Sequence, residues 1–120
     1  MILGRVRDRF PRITLPLPGL DGPVNVEFIL DTAFDGDLSL PPHIASRLEA
    51  SYTAPRWVRL ADGYESRQPY SQILLEWDGE EIPVEILIMD TTPLIGVLLM
   101  KDYLLQAEMQ DGGEVSLEPL

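Results

Sequence analysis

Turn signals recur along this chain at short, regular intervals, and they leave room for strands and only short helices. Ile2 to Leu17 reads as extended, because Pro11, Pro16 and Pro18 argue against helix there. Gly19-Leu20-Asp21-Gly22-Pro23 is a turn. Val24, Val26 and Phe28 then alternate with Asn25 and Glu27, the period-2 pattern of a half-buried strand, so these segments pair as a hairpin. Leu38 to Leu40 is a short strand, and Pro41-Pro42 opens a helix through about Leu48. Trp57–Leu60 and Tyr64–Arg67 flank Ala61-Asp62-Gly63 as a second hairpin, since Asp-Gly between extended residues is a strong hairpin signal. Ile73–Trp77 and Ile82–Met89 are strands, Val97–Leu105 is a short helix, and Glu114–Leu117 closes the chain as a strand. About seven strands and one or two short helices predict an all-β fold, a small closed barrel, in a single domain over residues 1–120.

Within that pattern, Phe28-Ile29-Leu30-Asp31-Thr32-Ala33-Phe34-Asp35-Gly36 is the stretch where chemistry is concentrated. An apolar run ends in Asp31, which places a carboxylate at the mouth of a core, where desolvation and neighbours control its pKa. Read alone, the Asp-Thr-Ala tripeptide favours a capping or turn-forming Asp, since Asp and Gly favour turns. The Asp62-Gly63 hairpin has polar arms, with Arg56, Arg59, Glu65, Ser66, Arg67 and Gln68, so it projects from the body. Both a mobile cover over a site and a plain solvated hairpin fit that composition.

Composition removes several chemistries. There is no cysteine and a single histidine, so thiolate nucleophiles, disulfides and multi-histidine metal centres are excluded. His43, on the first turn of the Pro42 helix, reads as a surface or packing residue. The net charge of −11 opposes phosphate-rich partners, so neither nucleic acid nor an anionic membrane is expected. Arg5, Arg7, Arg9 and Arg12 form a basic arm on this acidic body and are expected to enter internal ion pairs. The longest apolar region, Ile82 to Met100, is broken by Glu85, Asp90 and two prolines, whereas a spanning helix needs about 20 apolar residues. Charge begins at Arg5 with no apolar signal core, so a cytoplasmic location is expected.

Three separated motifs resemble those of retropepsin-like aspartic proteases. Ile29-Leu30-Asp31-Thr32-Ala33-Phe34-Asp35 is similar to the family's aliphatic-aliphatic-Asp-Thr-Gly-Ala-Asp motif. Tyr70 to Gly79 resembles the strand that follows the flap, and Ile86 to Gly96 resembles the apolar strand, T-P loop and aliphatic-Gly signature before the C-terminal helix. The likeness covers roughly residues 24 to 105, and it places the Asp62-Gly63 hairpin at the flap. It implies a retropepsin-like barrel, a homodimer acting on an extended peptide or protein substrate, and no cofactor or metal. Asp31 then matches the catalytic aspartate, and Thr32 the hydroxyl that ties the two catalytic loops across the dimer. Ala33, Asp35, Ala61, Asp62 and Gly63 fall at substrate-binding positions, and Gly96 at the glycine packed behind the catalytic loop. Two departures bear on activity more than on fold. Ala33 stands where the family has Gly, and Val97 where its viral members have Arg, leaving Arg7 or Arg9 as the expected partner of Asp35.

The chemistry implied needs two carboxylates sharing one proton, and the chain offers one Asp-Thr-Ala. Asp31 of two chains would therefore meet on a two-fold axis. Asp90, in the Asp90-Thr91-Thr92 loop, is the one rival within the chain. An acidic-to-neutral optimum follows from the shared proton. Two other readings compete: a catalytically silent dimeric peptide-binding module on the same fold, and a swapped-hairpin barrel of the transcription-factor type, which the acidic surface disfavours.

Overall fold

The computed structural model describes residues 1–120. The chain begins with β1 (Ile2–Arg7), β2 (Phe10–Leu17), β3 (Val24–Leu30), β4 (Leu38–Leu40) and α1 (Pro42–Ala45). It continues with β5 (Ser51–Arg59), β6 (Glu65–Trp77), β7 (Glu80–Ile88) and β8 (Leu94–Ile95), then α2 (Val97–Met100), β9 (Tyr103–Ala107) and β10 (Glu114–Pro119). All ten strands belong to one sheet, ordered β5-β6-β7-β4-β8-β3-β2-β1-β10-β9. Most neighbours are antiparallel; β3 with β8 and β4 with β7 are parallel.

Alternation builds the core. Val24, Val26, Phe28 and Leu30 of β3 face inward with Ile13, Leu15 and Leu17 of β2. From the far side come Ile73, Leu75 and Trp77 of β6, Val84 and Ile86 of β7, and Val115 and Leu117 of β10. One curved sheet thus wraps one core, its apolar face removed from water. The sheet coils far enough for Trp77 and Tyr103 to meet edge to face, ring centroids 5.7 Å apart.

The all-β expectation stands, while the closed barrel is corrected to an open sheet. Closure would need ladder pairing between the outer strands β5 and β9. No residue of β5 is buried, so that strand has no apolar face to bring to the core, and it pairs with β6 alone. The strand count rises from about seven to ten for local reasons. The Ile2–Leu17 segment folds back at Asp8 and Arg9, both at positive φ (50° and 74°), the geometry of a tight hairpin turn. The expected helix Val97–Leu105 stops at Met100, and Asp102 takes φ +67°, a conformation a helix cannot continue through. Tyr103, Leu105 and Ala107 then alternate toward the core as β9, paired with β10. The Pro42 helix is a single turn, and Leu48 instead bridges Gly19. No helix is long and apolar enough to cross a membrane.

Two of the four arginines of the basic arm, Arg7 and Arg12, enter ion pairs. Arg7 pairs with Asp8 (3.0 Å) and with Glu27, and Arg12 reaches Glu27 at 3.4 Å. Glu27 lies on β3, so Arg12 on β2 reaches it from the adjacent strand and Arg7 on β1 from one strand further.

Candidate functional site

Strand β3 delivers Asp31 at the point where the parallel strand β8 ends beside it, and the Asp31 N–H donates to the Ile95 carbonyl at 2.9 Å. The carboxylate is half-buried. Its Oδ1 accepts the Ala33 N–H at 2.9 Å, and the Phe34 N–H donates to the Asp31 carbonyl at 3.2 Å, which folds residues 31–34 into a tight turn. Oδ2 has no hydrogen-bond partner within the chain.

The rest of the loop is fastened to the segment that follows β8. The N–H groups of Gly96, Val97 and Leu98 donate to the carbonyls of Asp37 (2.9 Å), Phe34 (2.9 Å) and Gly36 (3.2 Å). Gly96 is buried against that loop: a Cβ there would lie 2.1 Å from the Gly36 carbonyl oxygen and 2.7 Å from Phe34. Only glycine lets the two backbones approach this closely. Asp37 Oδ2 accepts the Glu85 N–H at 3.0 Å, and partial burial pushes its carboxyl above the usual carboxylate range.

Asp31, Ala33 and Asp35 line one cavity of about 500 Å3, and Ala61 of the projecting hairpin lines it from the other side. The hairpin also contributes Val58, Arg59 and Leu60. Four of the expected site residues therefore converge. Thr32 is exposed on the turn and lies outside the cavity wall, and so do Asp62 and Gly63. Those last two shape the hairpin tip: Asp62 Oδ1 accepts the Tyr64 N–H at 3.0 Å, and Gly63 takes φ +88°. Gly96 sits behind the loop, against Gly36 and Phe34.

Asp35 is exposed, and no ion pair joins it to Arg7 or Arg9. The expected substitute is corrected: Arg7 is held by Glu27 and Asp8 in the β1–β3 region. Asp90 is exposed and does not line the cavity, and His43 is exposed on α1. No group of three histidine, cysteine, aspartate or glutamate side chains is arranged to hold a metal ion.

Sequence reasoning missed much of the wall. Phe34, Ser39, Tyr70, Leu87, Met89 and Leu94 all line the cavity. Phe34 lies within the Asp31 motif and Tyr70, Leu87, Met89 and Leu94 within the two downstream motifs, whereas Ser39 lies in none of them. The Arg56 guanidinium lies over the Tyr70 ring, 3.6 Å from its centroid, and also pairs with Glu85 on β7. Burial pushes the Tyr70 hydroxyl pKa up, against the lowering effect of Arg56.

The cavity is mostly apolar, carries two carboxylates and is bounded by a projecting hairpin. Such a concave site can take an extended or side-chain-bearing ligand and present an acid to it. No family model matches the chain, and no curated protein matches it, so the assignment of a function rests on this geometry and on the motifs.

Proposed function

We propose that the chain is an aspartic-type endopeptidase of the retropepsin-like kind, active as a homodimer in which each copy supplies Asp31. The observation that carries the reading is the convergence of Asp31, Ala33, Asp35 and the hairpin residue Ala61 on one cavity. A hydrogen bond on Asp31 Oδ1 holds the carboxylate in a fixed orientation while Oδ2 stays free, which is what proton sharing between two such groups requires. The hairpin then serves as a flap that lays an extended peptide against the floor of the cavity.

In the reaction, the ionised member of the pair removes a proton from water as the water oxygen attacks the scissile carbonyl carbon. The protonated member donates to the carbonyl oxygen. Collapse of the tetrahedral intermediate breaks the C–N bond: the amine leaves with the proton that the base had taken, and one hydroxyl proton of the intermediate returns to the other carboxylate. Two like charges in contact cannot both ionise easily, so one carboxyl of the pair is raised relative to the separated chains. Dimer affinity from the shared proton is thus fully present at low pH and lost as pH rises through the raised value. The net charge of −11 per chain adds repulsion in the same direction.

Asp31→Asn tests the reading. Peptide hydrolysis should fall by at least about 1,000-fold, with the dimer and its melting temperature retained, because loss of the general base removes the chemistry and not the packing. A dimer that binds peptides tightly but never cleaves them, with Asp31 or without it, would identify the silent binding module instead.

A further inference from the structure

Strand β4 turns Leu38 and Leu40 into the core, both fully buried, so Ser39 between them faces the opposite side of the sheet. Ser39 is also buried, at 1% exposure, and its Oγ has no hydrogen-bond partner within the chain. Strand register shows what surrounds it. Ser39 pairs with Leu87 on β7 and with Leu94 on β8, and Leu87 pairs in turn with Tyr70 on β6. These four residues form one row across four strands, and all four line the Asp31 cavity. Leu87 is buried yet stands apart from the main core cluster, as a residue on this second face should.

A hydroxyl sunk between two leucines loses its water without gaining a partner, and buried hydroxyls are rarely left so. We propose that Ser39 is a specificity-determining residue, whose hydroxyl selects a ligand side chain that is apolar along its stem and ends in a neutral hydrogen-bonding group, an amide or a hydroxyl. The stem packs on Leu87 and Leu94, and the tip exchanges a hydrogen bond with Oγ. A charged tip is disfavoured beside Ser39, because the row of Tyr70, Leu87, Ser39 and Leu94 carries no charged group to compensate it. Asp31 lines the same cavity, so the selected side chain belongs to a residue near the bond to be cleaved. The inference rests on the peptidase reading for its peptide substrate, but not on turnover itself.

The test compares peptides that differ at one position, Gln against Met and Thr against Val. Cleavage is measured with the wild type and Ser39→Ala, and equilibrium binding of the same peptides with Asp31→Asn and with Asp31→Asn carrying Ser39→Ala. The wild type should favour the polar-tipped member of each pair by about tenfold, and Ser39→Ala should reduce that ratio to near one. A wild-type ratio near one, or a ratio unchanged by Ser39→Ala, overturns the proposal and leaves the peptidase reading intact. A Ser39-dependent ratio in binding with no cleavage by the wild type supports Ser39 and removes the peptidase reading. Absence of binding to any peptide removes both. Where Ser39→Ala fails to fold, the nearly isosteric and weakly hydrogen-bonding Ser39→Cys takes its place, and a wild-type ratio near one overturns the proposal without any variant.

Discussion

Asp31 gains its importance from what surrounds it at atomic distance. Its backbone is tied to Ile95, its Oδ1 to Ala33, and the loop it begins is fastened by three hydrogen bonds to residues 96–98. Gly96 is the residue on which that arrangement turns. With a methyl placed 2.1 Å from a backbone oxygen, Gly96→Ala should cost about 3 kcal/mol of stability, near the upper end for overpacking, since backbone cannot rotate away as a side chain can. Chemical denaturation checks this; a loss under about 0.5 kcal/mol would mean that the loop is not fastened as described. Asp31 and Gly96 were legible in the sequence because an apolar run ending in Asp-Thr-Ala and an aliphatic-Gly pair are local patterns. Ser39 was not. Leu38-Ser39-Leu40 reads as a strand, and a serine there is ordinary until the register sets it between Leu87 and Leu94.

At the scale of elements, the projecting hairpin was legible from Asp62-Gly63 and from the polarity of its arms, but its length was not. Strand β6 runs unbroken from the arm into the core, from Glu65 to Trp77, although its composition changes midway. The register of β5 shifts between Thr53 and Arg56, so a bulge marks where the arm leaves the body. Arg56 stands at that bulge, packed over Tyr70 and paired with Glu85 two strands away. The pair is about half exposed, so Arg56→Ala should lower global stability by no more than about 1 kcal/mol. Its main effect should be faster hydrogen exchange at arm amides 56–59 and 65–68, with β3 unaffected. Equal loss of protection in β3 and the arm would show that Arg56 supports the whole sheet and not the arm alone. The short helices mark the reverse limit of sequence reading. Val97–Leu105 carries enough leucine to suit a helix, and only the left-handed Asp102 and the pairing of β9 with β10 decide otherwise.

For the molecule as a whole, an all-β fold follows from turn signals at short spacing, whereas closure is a property of two distant edges that local patterns do not encode. The open ends matter for function. β5 and β9 each have a neighbour on one side only, and neither strand carries an acidic residue. One chain therefore carries a single acid in its cavity beside Asp35, which is exposed and outside the tight turn. The enzymatic account needs a second copy. Mixing wild type with Asp31→Asn at fixed total concentration, after the subunits have exchanged, measures this most directly. If each site takes one Asp31 from each chain, peptidase activity follows the square of the wild-type fraction, falling to about one quarter at equal amounts. Activity that falls in proportion to the wild-type fraction, to about one half, would show that each chain acts alone and would contradict the account.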